Sequence, residues 1–318
     1  MNRGNTLYLV LPCYNEEEII EKTIEAVRDK MSRMIQEDKI STASKMVFVN
    51  DGSKDNTAKI IANAALSDES IAIINFSKNF GHQNAILAGM MLGKEHADMV
   101  VTIDADLQQD IEALDQFIEC YQNGADIVYG VRNNRDTDGC FKKMTASMYY
   151  KLLNAMGCNI LPNHADYRLM SAKALKTLAE YKEVNLFMRG LVSTLGFQSD
   201  IVYFDVKKRE AGKSKYTLSK MCNLALDGIT SMSIKPLHVI ALLGFGCCLF
   251  GVVLAILCMC DWLKGNNIPG YTTTIMIMLI MNGITLLSLG IIGEYIGKIY
   301  LETKERPRYI IESMVWKE

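Results

Sequence analysis

The stretch Val100–Asp110, "VVTIDADLQQD", is a run of strand-forming residues that ends in alternate carboxylates. In an extended segment side chains two apart share a face, so Asp104, Asp106 and Gln108 are expected to point together into a cleft. Carboxylates that close repel one another unless a cation lies between them. Hard oxygen donors suit Mg²⁺ or Mn²⁺; Mg²⁺ takes few protein carboxylates and completes its shell with water and phosphate oxygens. The expected chemistry is a metal–diphosphate site. The competing reading is a helix start, with Asp110 as its cap and the other acids solvated. A D-x-D pattern alone does not separate the two.

Two other polar stretches carry chemistry of their own. In "NDGSKDNT", Asp51-Gly52 reads as a turn and Asp55 or Asn56 as a helix cap. The Asp51 carboxylate can also accept hydrogen bonds from a base or a ribose. In "KKREAGKSKY", Arg209, Lys213, Ser214, Lys215 and Tyr216 surround Gly212. Such a loop can clamp phosphates by charge and hydroxyl donors, although a solvated charge run is the commoner origin of a basic cluster. Its place just before an apolar segment makes lipid phosphate a further partner.

The elements that must position these residues alternate in type. Within residues 1–210, "TLYLVLPC", "KMVFVN", "IAIINF", "DMVVTID" and "ADIVYGV" read as strands, with helices from about Glu17, Asp55, Gly81, Asp110 and Gly139. Strands separated by helix-length segments predict βαβ units and an α/β domain with a mainly parallel sheet. Ligands of such sheets bind at the carboxyl ends of strands, near a reversal of strand order. "PCYNEEE", "NDGSKDNT" and "DADLQ" follow the first, second and fourth strands, so all three are expected at one sheet edge.

The carboxyl-terminal part is of another kind. Lys235 and Asp261 bracket 25 residues without a full charge, and Lys264 and Glu294 bracket 29 more. A helix needs about 20 residues to cross the hydrocarbon core, so residues 236–293 are expected to hold two membrane spans rather than buried core helices. Lys213, Lys215, Lys220 and Lys235 precede the first span, and Lys298, Lys304, Arg306 and Arg308 follow the second. That bias puts both outer ends, and the catalytic region, on the cytoplasmic side. Residues 211–235 are expected to form the basic loop and an amphipathic juxtamembrane helix, with Leu218, Met221, Cys222, Ala225, Ile229 and Met232 at helical spacing, and 294–318 a cytoplasmic tail. That helix either lies on the membrane surface or packs on the soluble domain. A net charge of -2 gives no support to a nucleic-acid binder. Nine cysteines without a C-x-x-C pair predict free thiols, not a zinc or redox site. "TLYLVLPCY" is too short for a signal peptide and lacks its basic start.

Taken in order, "LPCYNEEE", "VNDGSKDNT", "SKNFGHQNAILAGM", "DADLQ", "GVRNNR", "ADYRLM" and "REAGKSKY", followed by two spans, resemble the polyprenyl-phosphate glycosyltransferases of family 2. These enzymes have a GT-A, Rossmann-like fold; bactoprenol glucosyltransferases and dolichol-phosphate mannose synthases are the nearest groups. The resemblance covers nearly the whole chain. It implies that Pro12, Tyr14 and Glu16 form a nucleotide-contacting loop and that Asp51 recognises the nucleoside. It implies that Asp104 and Asp106 hold the metal and diphosphate with Gln108 as a third metal contact, and that Arg132 and Arg209 bind phosphate. Lys213, Ser214 and Lys215 match the loop that closes over the donor. Asp166 matches the favoured catalytic acid, beside Asp106, and Arg168 the acceptor-phosphate arginine. His82 is a departure, where a basic side chain is more usual.

The implied reaction is attack by a polyprenyl (undecaprenyl) phosphate oxygen on the anomeric carbon of a nucleotide sugar. UDP-glucose is the first choice of donor, before UDP-N-acetylglucosamine and GDP-mannose. The anomeric centre inverts with Mg²⁺ or Mn²⁺ bound, at a bacterial cytoplasmic membrane, in a possible homotetramer. The rival readings are a family 2 enzyme with another lipid or glycan acceptor, a sugar nucleotidyltransferase and a non-catalytic scaffold. The nucleotidyltransferase is disfavoured because "LPCYNEEE" contains no glycine, and a processive synthase because the chain has no Q-x-x-R-W motif.

Overall fold

The computed structural model describes residues 4–133, 156, 161, 164–206, 228–263 and 270–317. The chain opens with β1 (Leu7–Cys13), α1 (Ile20–Gln36), β2 (Lys45–Asn50), α2 (Thr57–Ser67), β3 (Ile71–Phe76), α3 (His82–His96) and β4 (Met99–Thr102). A 3₁₀ turn at Ile111–Ala113 leads into α4 (Leu114–Gln122) and β5 (Ile127–Arg132). Then follow β6 (His164–Ser171), α5 (Ala172–Glu180), α6 (Met188–Thr194) and β7 (Ser199–Phe204). Two long helices, α7 (Lys235–Leu263) and α8 (Tyr271–Thr303), precede a last strand, β8 (Ile311–Val315).

The strands form one sheet in the order β7-β5-β6-β4-β1-β2-β3-β8. β6 and β8 run antiparallel to their neighbours, and the remaining pairs are parallel. The chain steps outward from β1 through β2 to β3, then returns to the other side of β1 as β4. The reversal of order therefore lies between β1 and β4, where a ligand crevice is expected.

Both faces of the sheet are covered, which explains the nearly continuous apolar runs of β1 and β2. On one face Leu9, Leu11, Phe48 and Leu169 pack against α1, α2 and α4. On the other Val10, Val49 and Met170 pack against α3, α5 and α6. α1 buries Ile20, Ile24, Val27, Met31 and Met34, one stripe at helical spacing. α3 sits unusually close to the sheet, since a Cβ at Gly89 would lie 2.3 Å from Val10 Cγ1.

β6, β7 and β8 have no counterpart among the strands expected from sequence. β6 carries Asp166 and Arg168 mid-strand, which hides its apolar alternation. The C-terminal segment 294–318, expected as a tail, continues α8 to Thr303 and then adds β8 to the sheet edge. Tyr309 stacks on Phe76 with ring centroids 5.1 Å apart, and Trp316 Nε1 donates to Tyr8 Oη at 3.3 Å. The helix expected from Gly139, the basic loop and most of the amphipathic helix lie outside the described residues. The described end of that last helix packs on the soluble domain, with Ile229 buried.

α7 and α8 are long and apolar enough to cross a membrane: Lys235–Leu254 has mean hydropathy 2.5 and Ile280–Thr303 has 1.4, with none of either window buried. Their domain-side ends meet, because Tyr295 Oη donates to Ser233 O at 2.6 Å and Lys298 Nζ to Ser231 Oγ at 3.1 Å. At about 1.5 Å per residue α8 is roughly 50 Å long, against about 30 Å of hydrocarbon. The surplus turns carry Tyr295, Lys298 and Glu302 down to the soluble domain.

A buried cation ties α1 to the segment after "DADLQ". Lys30, 3% exposed, donates to Glu112 at 2.7 Å and Asp115 at 2.5 Å. Burial raises the Asp115 carboxyl, but hydrogen bonds from Lys30 and Lys39 outweigh it and the net shift is downward. Hydrogen bonds from Lys30 and Arg33 lower the Glu112 carboxyl. Folded pKa values below the unfolded ones give stability that is complete above the ordinary carboxylate range, about pH 4, and is lost as pH falls through the lowered values. Lys30→Met is expected to lower stability at neutral pH by about 3 kcal/mol and to flatten this acid loss. Thermal unfolding of the detergent-solubilised protein between neutral and acid pH checks both effects.

Candidate active site

The loops that leave β1 and β2 are laced together by hydrogen bonds. Asn15, in the left-handed region at φ 54°, donates its N–H to Ser53 Oγ at 3.0 Å, and its Oδ1 accepts from Lys54 N at 2.8 Å. Glu16 N–H donates to Thr57 Oγ1 at 2.9 Å, and Glu17 Oε2 accepts from Asn56 N at 3.0 Å. Pro12 is buried at the end of β1, and Tyr14 and Glu16 are half-buried on the laced loop. Gly52 turns the second loop at φ 64°, where a Cβ would lie 2.4 Å from the carbonyl carbon of Lys78. Backbone angle and space both demand glycine there.

Asp51, expected at the nucleoside, is 3% exposed, and its carboxylate accepts from Phe80 N at 2.6 Å and Gly81 N at 2.9 Å. Burial raises its pKa against these two amide bonds. In this structure it anchors the loop that leads to His82.

The "DADLQ" segment is not extended. β4 ends at Thr102, the chain turns at Ala105–Asp106, and Leu107 takes φ 56°. Alternation of side chains therefore stops before Asp104, which corrects the shared face expected for Asp104, Asp106 and Gln108. The glutamine on Asp104 is Gln109, 3% exposed, which accepts from Asp104 N at 3.1 Å and donates Nε2 to Asp104 Oδ2 at 2.7 Å. Gln108 donates its backbone N–H to Asp106 Oδ1 at 3.1 Å. Asp110 caps the following turn by accepting from Glu112 N at 3.3 Å, so the helix-start reading holds for that acid.

Antiparallel pairing brings a distant acid to the same place. Thr102 of β4 stands opposite Arg168 of β6 as the last pair, and just beyond it Asp104 and Asp166 come to one imidazole. His82, at the first turn of α3, lies between them: its Nε2 is 3.5 Å from Asp104 Oδ1 and 3.7 Å from Asp166 Oδ2. Asp166 Oδ1 accepts from Arg168 Nη2 at 3.0 Å and Arg189 Nε at 3.2 Å, and its Oδ2 accepts from Arg189 Nη2 at 3.1 Å. Burial by itself would raise the Asp166 carboxyl; Arg189 and Arg168, with His82, overcome it and hold the carboxyl well below the usual carboxylate range. The Asp104 carboxyl shifts the other way. Burial raises it, His82 and Arg132 oppose the rise, and Asp166 and Asp106 add to it.

Arg168 has no exposed side-chain surface, whereas Arg189 is 31% exposed. The arginine that faces outward beside Asp166 is thus Arg189, which no spacing rule links to an acid 23 residues away. Arg132 is exposed at the end of β5; Arg209, Lys213, Ser214 and Lys215 lie outside the described residues. Next to Asp166, a cavity of about 360 Å³ is lined by His82, Asn84, Arg189, Val184, Leu186 and Phe187 among others. Asn84 Oδ1 is buried there without a hydrogen-bond partner among the described residues. The cavity therefore joins a polar end, where the Arg189 guanidinium pairs with the Asp166 carboxylate, to an apolar wall.

Among the described residues no group of three or more His, Cys, Asp and Glu is arranged to hold a metal by itself. The oxygen donors of Asp104 and Asp106 fit an ion that takes few protein carboxylates and shares its shell with phosphate. The accumulated negative potential at Asp104 is of the kind such an ion relieves.

Fold and site together are those of an α/β domain whose polar residues gather at the carboxyl edge of a mainly parallel sheet, beside the reversal of strand order. Residues 8–179 match Glycosyl transferase family 2, and residues 235–299 match the GtrB C-terminal hairpin. The chain belongs to glycosyl transferase family 2. It is 42% identical over 312 residues to the uncharacterized glycosyltransferase YkoT of Bacillus subtilis (strain 168), covering 98% of this chain and 93% of that one. It is 41% identical over 307 residues to the bactoprenol glucosyl transferase of Shigella phage SfX, covering 96% and 98%. Among solved structures, glucosyl-3-phosphoglycerate synthase from Mycobacterium tuberculosis is similar with a TM-score of 0.47 and 16% identity, covering 71% of this chain and 77% of that one.

The site geometry separates two glycines in the left-handed region. A Cβ at Gly52 meets backbone at 2.4 Å, whereas one at Gly196, where φ is 70°, has nothing within 4 Å. Gly196→Ala is expected to cost only about 1 kcal/mol for its backbone angle, and Gly52→Ala well over about 2 kcal/mol. Thermal unfolding of the two variants side by side checks the order.

Proposed function

We propose that the protein transfers a hexose, glucose by preference, from a nucleotide sugar to the phosphate of a polyprenyl lipid at the cytoplasmic face of a membrane, inverting the anomeric carbon. One observation carries this reading. His82 spans Asp104 on the donor side and Asp166 on the acceptor side at 3.5 and 3.7 Å, so donor diphosphate and acceptor phosphate are to be handled in one site. The apolar wall beside Arg189, the two apolar helices and the name of the Shigella phage SfX relative support the lipid acceptor and the glucose.

The acceptor oxygen attacks the anomeric carbon as the bond from that carbon to the nucleoside diphosphate breaks. A phosphate monoester has a second pKa near ~6 and is mostly dianionic at neutral pH, so little proton removal is required. Asp166 has both oxygens engaged by guanidinium groups, which fits an orienting role better than that of a base. Arg168 braces Asp166 from the interior, and Arg189 presents charge to the acceptor phosphate. Asp104 and Asp106 would hold a divalent ion, Mg²⁺ or Mn²⁺, which when bound neutralises charge on the departing diphosphate. Gln109 fixes the Asp104 carboxylate in place.

Purified protein with polyprenyl phosphate, Mg²⁺ or Mn²⁺ and labelled UDP-glucose is expected to yield one labelled lipid. UDP-N-acetylglucosamine and GDP-mannose serve as rival donors, and absence of product with every donor overturns the proposal. A chelator is expected to abolish transfer, and added Mg²⁺ or Mn²⁺ to restore it. Arg189→Ala is expected to raise the acceptor KM about 10- to 100-fold, from loss of a charge-assisted contact, while the donor KM stays within about 2-fold.

A further inference from the structure

Between α5 and α6 the chain from Lys182 to Phe187 has no regular secondary structure and separates two cavities. On one side is the cavity that holds His82, Asp166 and Arg189. On the other is a cavity of about 740 Å³ lined by Met232, Tyr295, Lys298 and Ile299 at the domain-side end of the membrane hairpin. Val184 and Phe187 line both. The wall between the reacting groups and the membrane helices is thus a single stretch of irregular backbone. Its amides need partners from elsewhere.

Those partners come from the second membrane helix. Glu302, in the last turn of α8, accepts from Val184 N at 2.8 Å (Oε2), from Asn185 N at 2.8 Å and from Asn185 Nδ2 at 2.9 Å (both Oε1). Arg308, just beyond the helix, donates to Tyr181 O. The far end of the wall is held by the catalytic side, where Gln83 Oε1 of α3 accepts from Met188 N at 3.0 Å and Arg168 Nη1 donates to Met188 O at 3.4 Å. The wall is stretched between the end of a membrane span and the helix that carries His82.

We infer that Glu302 is a positioning residue that fixes the acceptor-side wall, Val184–Phe187, to the end of the second span, so that a lipid-borne phosphate meets Arg189 at a depth set by the bilayer. The inference rests on the reading of the acceptor as a polyprenyl phosphate. A carboxylate serves this role because it has acceptor lone pairs for several N–H groups at once and no donor to set against them. Glu302→Gln keeps the shape and places an NH₂ group against those amides, and Glu302→Ala removes the bracket.

The test compares wild type, Glu302→Gln and Glu302→Ala in bilayer discs, using long-chain polyprenyl phosphate in the bilayer and a short-chain prenyl phosphate added from detergent. Glu302→Ala is expected to raise the KM for the bilayer acceptor about 10-fold, the effect of leaving two backbone amides without their acceptor, and Glu302→Gln, which keeps one acceptor oxygen, by a smaller factor. The donor KM and the KM for the short-chain acceptor are expected to stay within about 2-fold of wild type, with a matching unfolding temperature. Asn185→Ala is expected to have a smaller effect on the bilayer acceptor and to add nothing when combined with Glu302→Ala, because both act on one bracket. An unchanged bilayer-acceptor KM overturns the inference. So does a rise in all three KM values together with a lower unfolding temperature, the sign of a merely structural strut. Wild type that transfers sugar to neither prenyl phosphate overturns the underlying reading of the function itself.

Discussion

The antiparallel register of β4 against β6 is the constraint on which the site depends. Its last pair, Thr102 with Arg168, ends just short of two partly buried carboxylates, Asp104 and Asp166, that meet at His82. Charges of like sign placed together in such surroundings persist only when cations compensate them. The structure compensates them unequally. Asp166 receives two guanidinium groups and is held ionised, whereas Asp104 has one imidazole at 3.5 Å and a side-chain amide at 2.7 Å. The two carboxyls are therefore shifted in opposite directions, Asp166 downward by its guanidinium partners and Asp104 upward by burial.

Around that pair, the loops that lack regular structure have their polar groups matched across motifs. Asn15, Glu16 and Glu17 of the first loop bind Ser53, Lys54, Asn56 and Thr57 of the second. The same matching extends outward along the sheet, where Asn50 Nδ2 donates to Asn75 Oδ1 and Asn75 Nδ2 to Ser313 Oγ, both at 3.0 Å. The strand that follows the two long apolar helices therefore takes part in the hydrogen bonding behind the loops that leave β1 and β2. β8 also covers the edge that β3 would otherwise expose, an edge that invites pairing with other chains.

The membrane helices are joined to the catalytic domain at both ends of their hairpin rather than tethered by one linker. Tyr295 and Lys298 bind the chain just before α7, and Glu302 and Arg308 bind the wall of the cavity beside Arg189. α8 runs on to Thr303, which leaves its last turns available for this contact.

Much of this was legible in the sequence because it is local. Apolar runs of the right length identified β1 to β5 and the two long apolar helices, and the polar motifs fall at strand ends as expected, since each signal is carried by residues adjacent in the chain. The resemblance carried by the ordered motifs agrees with the family to which the chain belongs. Tertiary structure alone decided which of the neighbouring residues makes a given contact. Gln109 rather than Gln108 holds Asp104, because the strand ends at Thr102 and the chain turns through Leu107. Arg189 rather than Arg168 faces outward, because Arg168 shares the inward face of β6 that packs beneath α6. The contact of Glu302 with Val184 spans 118 residues, and no periodicity reaches that far. Strand register, side-chain direction and long-range hydrogen bonding are properties of packed elements, and they are settled only when those elements meet.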